Sequence, residues 1–493
     1  MASDPILDRK ILSLSEVDHV STRSAIEGIL ITGAPGSGKS SCSGKQLAYG
    51  LLRVPNMGGP GADRESRGNA KLDRLRKGLW SRKRPHCLRC RIRPCLRPAA
   101  LRIHTAGAGG WRSRKRHRFF STLISIGKKE GGHTHDPFWE RGNEQIMRNV
   151  IKLLDLAGER ISIANIDRVI KSLPTRPAEY EEEGWQKESY CAQVVAAIRA
   201  RKDTLTPDQW SDLGFATQYI FNRWPGFDER PRSSLEMTWS GMADKFLFNP
   251  FYRLFCGGKC TFTPEDTTHR GKIVICDFPL LEYGHETGRL INVILKLIFQ
   301  RAWLRRRLSE SPNAVFLWQD EFQYFVTRRD NFFQQTYRGS RVAVVCLTQN
   351  ILNLSEELGE DQPGSKIKSF LGNLGLKIFH QQNETETLQY AADQIGKHYR
   401  YLDNFNAGSS DNNHSHSGVG GSQQLVHIVE PIEFTRLVKP DSGNPLAQAI
   451  CYQSARPSTQ PKPTRTRGAR TTFRCFSHVN KEIRCYPNKN NLP

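Results

Sequence analysis

Two periods of apolar spacing run along this chain. Ile29-Leu30-Ile31, Ile273-Val274-Ile275-Cys276, Ala314-Val315-Phe316-Leu317-Trp318, Val342 to Leu347 and Leu376 to Phe379 are continuous apolar runs. Helical spacing lies between some of them, as in Arg289 to Leu308. Continuous runs alternating with helices predict parallel strands covered on both faces. Residues 138–246 instead read as helix throughout. Ile146, Val150, Leu153 and Leu154 share one helical face, and Ile163, Ile166, Val169, Ile170 and Leu173 follow before Pro174 closes the segment. A further helix, from about Gln186 to Ile198, presents Val194, Val195 and Ile198. Asn404 to Ser422 is polar and glycine-rich and reads as a mobile loop. Neither period is sustained over Pro60 to Arg118 or after Ser454.

Composition sharpens that last point. The chain has 493 residues, enough for two or more cores, and a formal charge of +23. Residues 51–120 hold 20 Lys and Arg against 3 Asp and Glu, and residues 454–493 hold 9 against 1. The remainder is close to neutral, so the basicity belongs to two segments. One reading makes 60–118 a nucleic-acid-binding arm. The other takes its abrupt shift to Arg, Cys, Pro and Gly, and its recovery near Phe119, as translation in the wrong reading frame, with the same switch after Ser454. The coding sequence decides between them, because an out-of-frame tract should regain an α/β pattern in another frame. No apolar run is long enough to span a bilayer and Met1 to Val20 lacks a signal peptide's apolar centre, which points to the cytoplasm. Cys276, Cys346 and Cys451 sit inside apolar runs, as buried thiols rather than disulfides.

The chemistry begins at Gly33-Ala34-Pro35-Gly36-Ser37-Gly38-Lys39-Ser40, which follows a strand and satisfies G-x-x-x-x-G-K-[ST]. Backbone N–H groups of such a loop wrap phosphates, its Lys adds charge and its Ser offers a hydroxyl to Mg²⁺. The blander reading is a glycine turn with a solvated lysine. A second strand ends in Asp320-Glu321, which suits one carboxylate to Mg²⁺ and the next to a general base; alone, it is also a strand cap with two solvated acids. A third ends in Thr348-Gln349, where a glutamine can touch a γ-phosphate. Arg338 and Arg341 precede that strand, and Arg338 is the candidate arginine finger offered to a neighbouring subunit. Cys87, Cys90 and Cys95 beside His86 contain one C-x-x-C, but no second pair follows, so they read as no zinc site.

Together these residues resemble the type IV coupling proteins, RecA-like ATPases of conjugation. The resemblance rests on Gly33 to Ser41, on Gln319-Asp320-Glu321-Phe322, on Arg338-Gly339-Ser340-Arg341 leading to Leu347-Thr348-Gln349-Asn350, and on Phe370-Leu371-Gly372-Asn373. It covers roughly residues 24–50 and 270–450. It implies a RecA-like P-loop NTPase core with a mainly parallel sheet, interrupted by an all-helical inserted domain. The expected segments are 24–59 and 270–453 for the core, 138–246 for the insertion, and 60–118 and 454–493 for basic tracts that are disordered or out of frame. It further implies ATP and Mg²⁺ as cofactors, with Gly33, Ala34, Pro35, Gly36, Ser37, Gly38, Lys39, Ser40 and Ser41 on the nucleotide and Ser40 and Asp320 on the metal. Glu321, Gln349 and Arg338 become the catalytic set. The partners implied are DNA, single-stranded or relaxosome-bound, type IV secretion components and five further copies in a hexamer, docked at the inner membrane through those components. The family usually begins with membrane helices, which this chain lacks. A protein-driving secretion or pilus-assembly motor, and a non-catalytic or frameshifted homologue, are the competing readings.

Overall fold

The computed structural model describes residues 4–14, 19–62, 87–90, 137–257, 262–276, 278, 280–358, 364–409, 415–440 and 447–454. Most of both basic tracts therefore lies outside the described residues. The chain opens with β1 (Lys10–Ser13), β2 (His19–Ser21), α1 (Thr22–Ile26), β3 (Ile29–Thr32), α2 (Gly44–Leu52), β4 (Gly59–Ala62) and β5 (Cys87–Cys90). Helices follow: α3 (Pro137–Ala157), α4 (Ile163–Lys171), α5 (Tyr190–Ala200), α6 (Pro207–Gln218) and α7 (Glu229–Leu247). Strands return with β6 (Ile273–Cys276), then come α8 (His285–Trp303), β7 (Val315–Gln319), β8 (Val342–Thr348) and β9 (Leu376–His380). The last elements are α9 (Thr385–Ile395), β10 (Lys397–Ser409), β11 (Ser415–His427), α10 (Pro431–Thr435) and β12 (Ala449–Gln453).

The chain divides into two compact units. The first comprises Met1–Leu88, Glu265–Asp277 and Gln300–Pro493. Its sheet has the order β12-β9-β3-β8-β7-β4-β6-β5. β3 runs parallel to β8 and β9, β7 to β8, and β4 to β6 and β7, while β12 is antiparallel to β9. All residues of β3, β6, β7, β8 and β9 are buried, which is why they read as unbroken apolar runs. On one face Ile29, Ile31, Phe316, Trp318, Val345 and Ile378 join Leu47, Ala48 and Leu51 of α2 in a single core.

β4 is the unexpected strand. Residues 60–62, from the tract where strand periodicity fails, sit between β7 and β6 in the sheet. Gly-Pro-Gly-Ala brings almost no side chain, and Pro60, opposite Val274, brings no N–H. What places it is its neighbours' backbone. Gly59 lies so close to Phe316 that a Cβ there would be 1.9 Å from the Phe316 carbonyl oxygen.

The described parts of the stretch Asn404 to Ser422, residues 404–409 and 415–422, are strand and not loop. They belong to β10 and β11, which pair antiparallel without a break from Lys397↔His427 to Ser409↔Ser415. Glycine-rich composition hid the ladder, because Gly420 and Gly421 pair with Asn404 and Asp403 through backbone alone.

The second unit comprises Arg89–Pro264 and Phe278–Phe299. All the apolar residues named above for 146–173 and for 194–198 are buried in it. Each such side chain contributes roughly 1.5–3 kcal/mol of burial. Ser162 caps α4 by accepting from the Asn165 N–H, and Thr206 opens α6 in a capping box with Gln209. The helix expected from Gln186 instead breaks at Ser189, whose extended backbone lets its hydroxyl cap α5 at the Ala192 N–H. Trp239 on α7 is buried against α4, its Nε1 donating to Asp167 Oδ1 at 3.1 Å. Among the described residues no helix is long and apolar enough to cross a membrane. The six cysteines whose side chains are described are buried thiols outside any disulfide.

Candidate active site

The carboxyl ends of β3, β7, β8 and β9 converge on one place, the usual site for ligands on an open parallel sheet. From β3 the chain enters Gly33 to Ser40. Gly36 and Gly38 take positive φ values of 74° and 94°, which an L side chain resists. Pro35, Gly36 and Ser41 are exposed, whereas Gly33, Ala34, Ser37, Gly38 and Lys39 are buried and Ser40 is half-buried. Lys39–Ser43 winds as a wide turn in which the Gly44 N–H reaches back to the Lys39 carbonyl.

β7 delivers the acids. Asp320 Oδ1 accepts from Ser40 Oγ at 3.2 Å and from the Glu321 N–H at 3.1 Å. Burial and the Glu321 charge beside it push the Asp320 carboxyl well above its usual range, against Lys39 and the Ser40 hydrogen bond. Glu321 adopts left-handed backbone, φ 53° and ψ 52°, costing on the order of 1–2 kcal/mol in a non-glycine residue. That twist turns its carboxylate toward three donors. Lys39 Nζ lies 3.5 Å from Oε1, while Gln323 Nε2 and Gln349 Nε2 donate to Oε2 at 2.6 and 3.3 Å. Gln349 arrives from the end of β8.

The structure thus brings Lys39, Ser40, Asp320, Glu321 and Gln349 together from segments some 280 residues apart. The donor set suits phosphate and a hard cation. Ser37 Oγ and Thr32 Oγ1 are buried without a hydrogen-bond partner beside the loop, and a hydroxyl and a carboxylate converge as Mg²⁺ prefers. Among the described residues no group of three or more His, Cys, Asp or Glu could hold a metal. Cys87 and Cys90 lie on β5, and His86 and Cys95 fall outside the described residues.

Arg338 is elsewhere. It precedes β8, at the amino ends of the strands, and pairs at 3.0 Å with Glu27 just before β3. Arg341 pairs at 3.0 Å with Asp4. Neither arginine reaches the phosphate loop of its own chain. Sequence reasoning missed Gln323 and the three residues ending and following β9. His380 Nε2 stands 2.7 Å from Ser43 Oγ, the Gln381 carbonyl accepts from the Ala34 N–H at 2.8 Å, and Gln382 Nε2 donates to the Gln349 carbonyl at 2.5 Å. A polar trio closing an apolar strand was the available signal, the same one that singled out Gln349.

A glycine-rich loop at the start of α2, answered by acids at the end of a parallel strand, has the arrangement of a RecA-like P-loop fold. Residues 314–439 match the family described as the TraM recognition site of TraD and TraG. The bacterial conjugative coupling protein TrwBdeltaN70 in its unbound monoclinic form superposes with a TM-score of 0.54 at 12% identity, over 90% of this chain and 85% of that one. Plasmid coupling protein TrwB in complex with the GTP analogue GDPNP gives 0.57 at 11% identity, over 91% and 87%. TrwB with ADP and Mg²⁺ gives 0.50 at 11%, over 90% and 85%. No curated protein sequence matches the chain. The family match over residues 314–439 and the fold both point the same way, to similarity with the type IV coupling proteins.

Proposed function

We propose that this chain is an ATP-hydrolysing translocase of the coupling protein kind, moving DNA or a DNA–protein substrate in conjugation. The observation that carries the reading is the meeting of Lys39 and Ser40 with Asp320, Glu321 and Gln349. In it, Lys39 and the N–H groups of Gly33 to Ser41 bind the phosphates, and Ser40 and Asp320 hold Mg²⁺, which offsets phosphate charge when bound. A γ-phosphate entering the site would draw Lys39 away from Glu321. The freed carboxylate would accept a proton from the attacking water, and Gln349 would orient that water or sense the phosphate. Arg338 would act on the site of a neighbouring copy in a homo-hexameric ring. DNA, relaxosome proteins and type IV secretion components are the proposed partners, reached from the cytoplasmic side of the inner membrane.

The test is ATP turnover by the purified chain beside Lys39→Ala and Glu321→Gln, with and without DNA. The reading expects both variants to fall by roughly 100-fold or more. It also expects DNA to stimulate the wild type. Wild-type turnover no faster than that of the variants sinks it, and turnover indifferent to DNA turns it into a protein-driving motor.

A further inference from the structure

Three consecutive residues, His380, Gln381 and Gln382, grip three different parts of the proposed site. The first holds Ser43 behind the phosphate loop, the second holds Ala34 within it, and the third holds the backbone of Gln349. Gln382 is the most constrained. It is 4% exposed. Its Oε1 accepts from the Asn383 N–H at 3.0 Å, which fixes the amide with its NH₂ group toward the Gln349 carbonyl. Its own N–H donates to the Phe434 carbonyl of α10 at 3.3 Å, and Gln381 Nε2 reaches the Thr435 carbonyl at 3.4 Å.

The chain of contacts therefore runs from the phosphate loop, through Gln381 and Gln382, both to Gln349 and to α10. We infer that Gln382 is a positioning residue, which holds Gln349 against Glu321 and transmits the state of the phosphate loop to Pro431–Thr435. The inference rests on the nucleotide-hydrolysing reading of the site. Its physical basis is stiffness. Ala34 cannot shift without carrying the Gln381 carbonyl, and the adjoining Gln382 is tied at both ends. The loop after β8 has a second tether, the Ile351 N–H on Thr387 Oγ1 at 2.9 Å, so losing Gln382 misplaces Gln349 without releasing the whole loop. Small misplacements of a group that acts on the reacting atoms are costly, up to about 100-fold for roughly 1 Å.

The experiment compares the full chain with Gln382→Met, which keeps the volume and cannot donate. Gln382→Asn, which keeps the amide but cannot reach, serves if the methionine variant fails to fold. The expected result is a fall in kcat of roughly tenfold or more with KM and nucleotide affinity changed by less than about threefold. In a Gln349→Ala background, Gln382→Met should cause no further loss, since it acts through that residue. Additive losses, unchanged kcat, or a change confined to KM overturn the inference. Hydrogen exchange with a non-hydrolysable ATP analogue reads the link without turnover. Binding should slow exchange at 33–40 and at 431–436 in the wild type, and only at 33–40 in Gln382→Met. Slowing at 431–436 that survives the substitution overturns the inference. Wild-type turnover no faster than that of Lys39→Ala is failure of the functional reading alone, and the exchange measurement still decides the link. No slowing at 33–40 in the wild type overturns both.

Discussion

His380 is a histidine kept neutral by its surroundings. Burial first, and the neighbouring Lys39 charge second, push it down from 6.5 to about 4. The unfolded chain thus takes up a proton near pH 6.5 that the folded form refuses until about pH 4. Stability contributed by the neutral ring is fully present above pH 6.5 and is lost as pH falls toward 4, a difference on the order of 3 kcal/mol. Thermal unfolding followed across that window should show the loss, and His380→Asn should flatten it. A slope unchanged by the substitution would assign it to other groups. The residues of the site differ in how readily a sequence shows them. Lys39, Asp320 and Glu321 stand in motifs whose spacing is itself chemical. Gln382 stands in none, because its importance lies in a contact with a backbone carbonyl 33 positions away.

Among the elements, β4 shows where a strand can exist without a strand's sequence. β3, β7 and β8 announce themselves because burial on both faces demands apolar side chains at every position. β4 has no such signature, and only β6 and β7 on either side define it. Its tolerance is correspondingly narrow. Gly59→Ala would drive a methyl group into the Phe316 carbonyl, and should lower the denaturant midpoint of the first unit by the equivalent of about 2 kcal/mol or more. An unchanged midpoint would mean that β4 contributes nothing to the sheet. The β10–β11 pair escaped for the converse reason. Its outer half is polar and glycine-rich, while the signal of its inner half, the alternation of exposed Tyr399, opposite Leu425, with exposed Tyr401, opposite Gln423, is only a few residues long. Long helices with full apolar faces, such as α3 and α4, were legible from spacing, but the break at Ser189 depended on a side-chain cap that periodicity does not report.

For the molecule as a whole, charge and fold are unevenly shared. Against a formal charge of +23, the segments 51–120 and 454–493 together carry +25, and apart from β4, β5 and the end of α2 the strands and helices of the proposed motor are drawn from a nearly neutral remainder. If the tail engages DNA, removing residues 455–493 should lower the slope of log affinity against log salt by several units, at about 0.7–0.9 per phosphate contact. A slope that does not move would show the tail to have no part in binding.

The pairing of Arg338 with Glu27 has a consequence for how the protein is assayed. β8 runs seven residues from that arginine's end to Gln349, a separation of roughly 20 Å. On the proposed reading, an arginine held at the far rim of its own sheet acts on a copy beside it. Specific turnover should then climb as the protein is concentrated and vanish on dilution, and Arg338→Ala chains mixed with Lys39→Ala chains should recover activity that neither has alone.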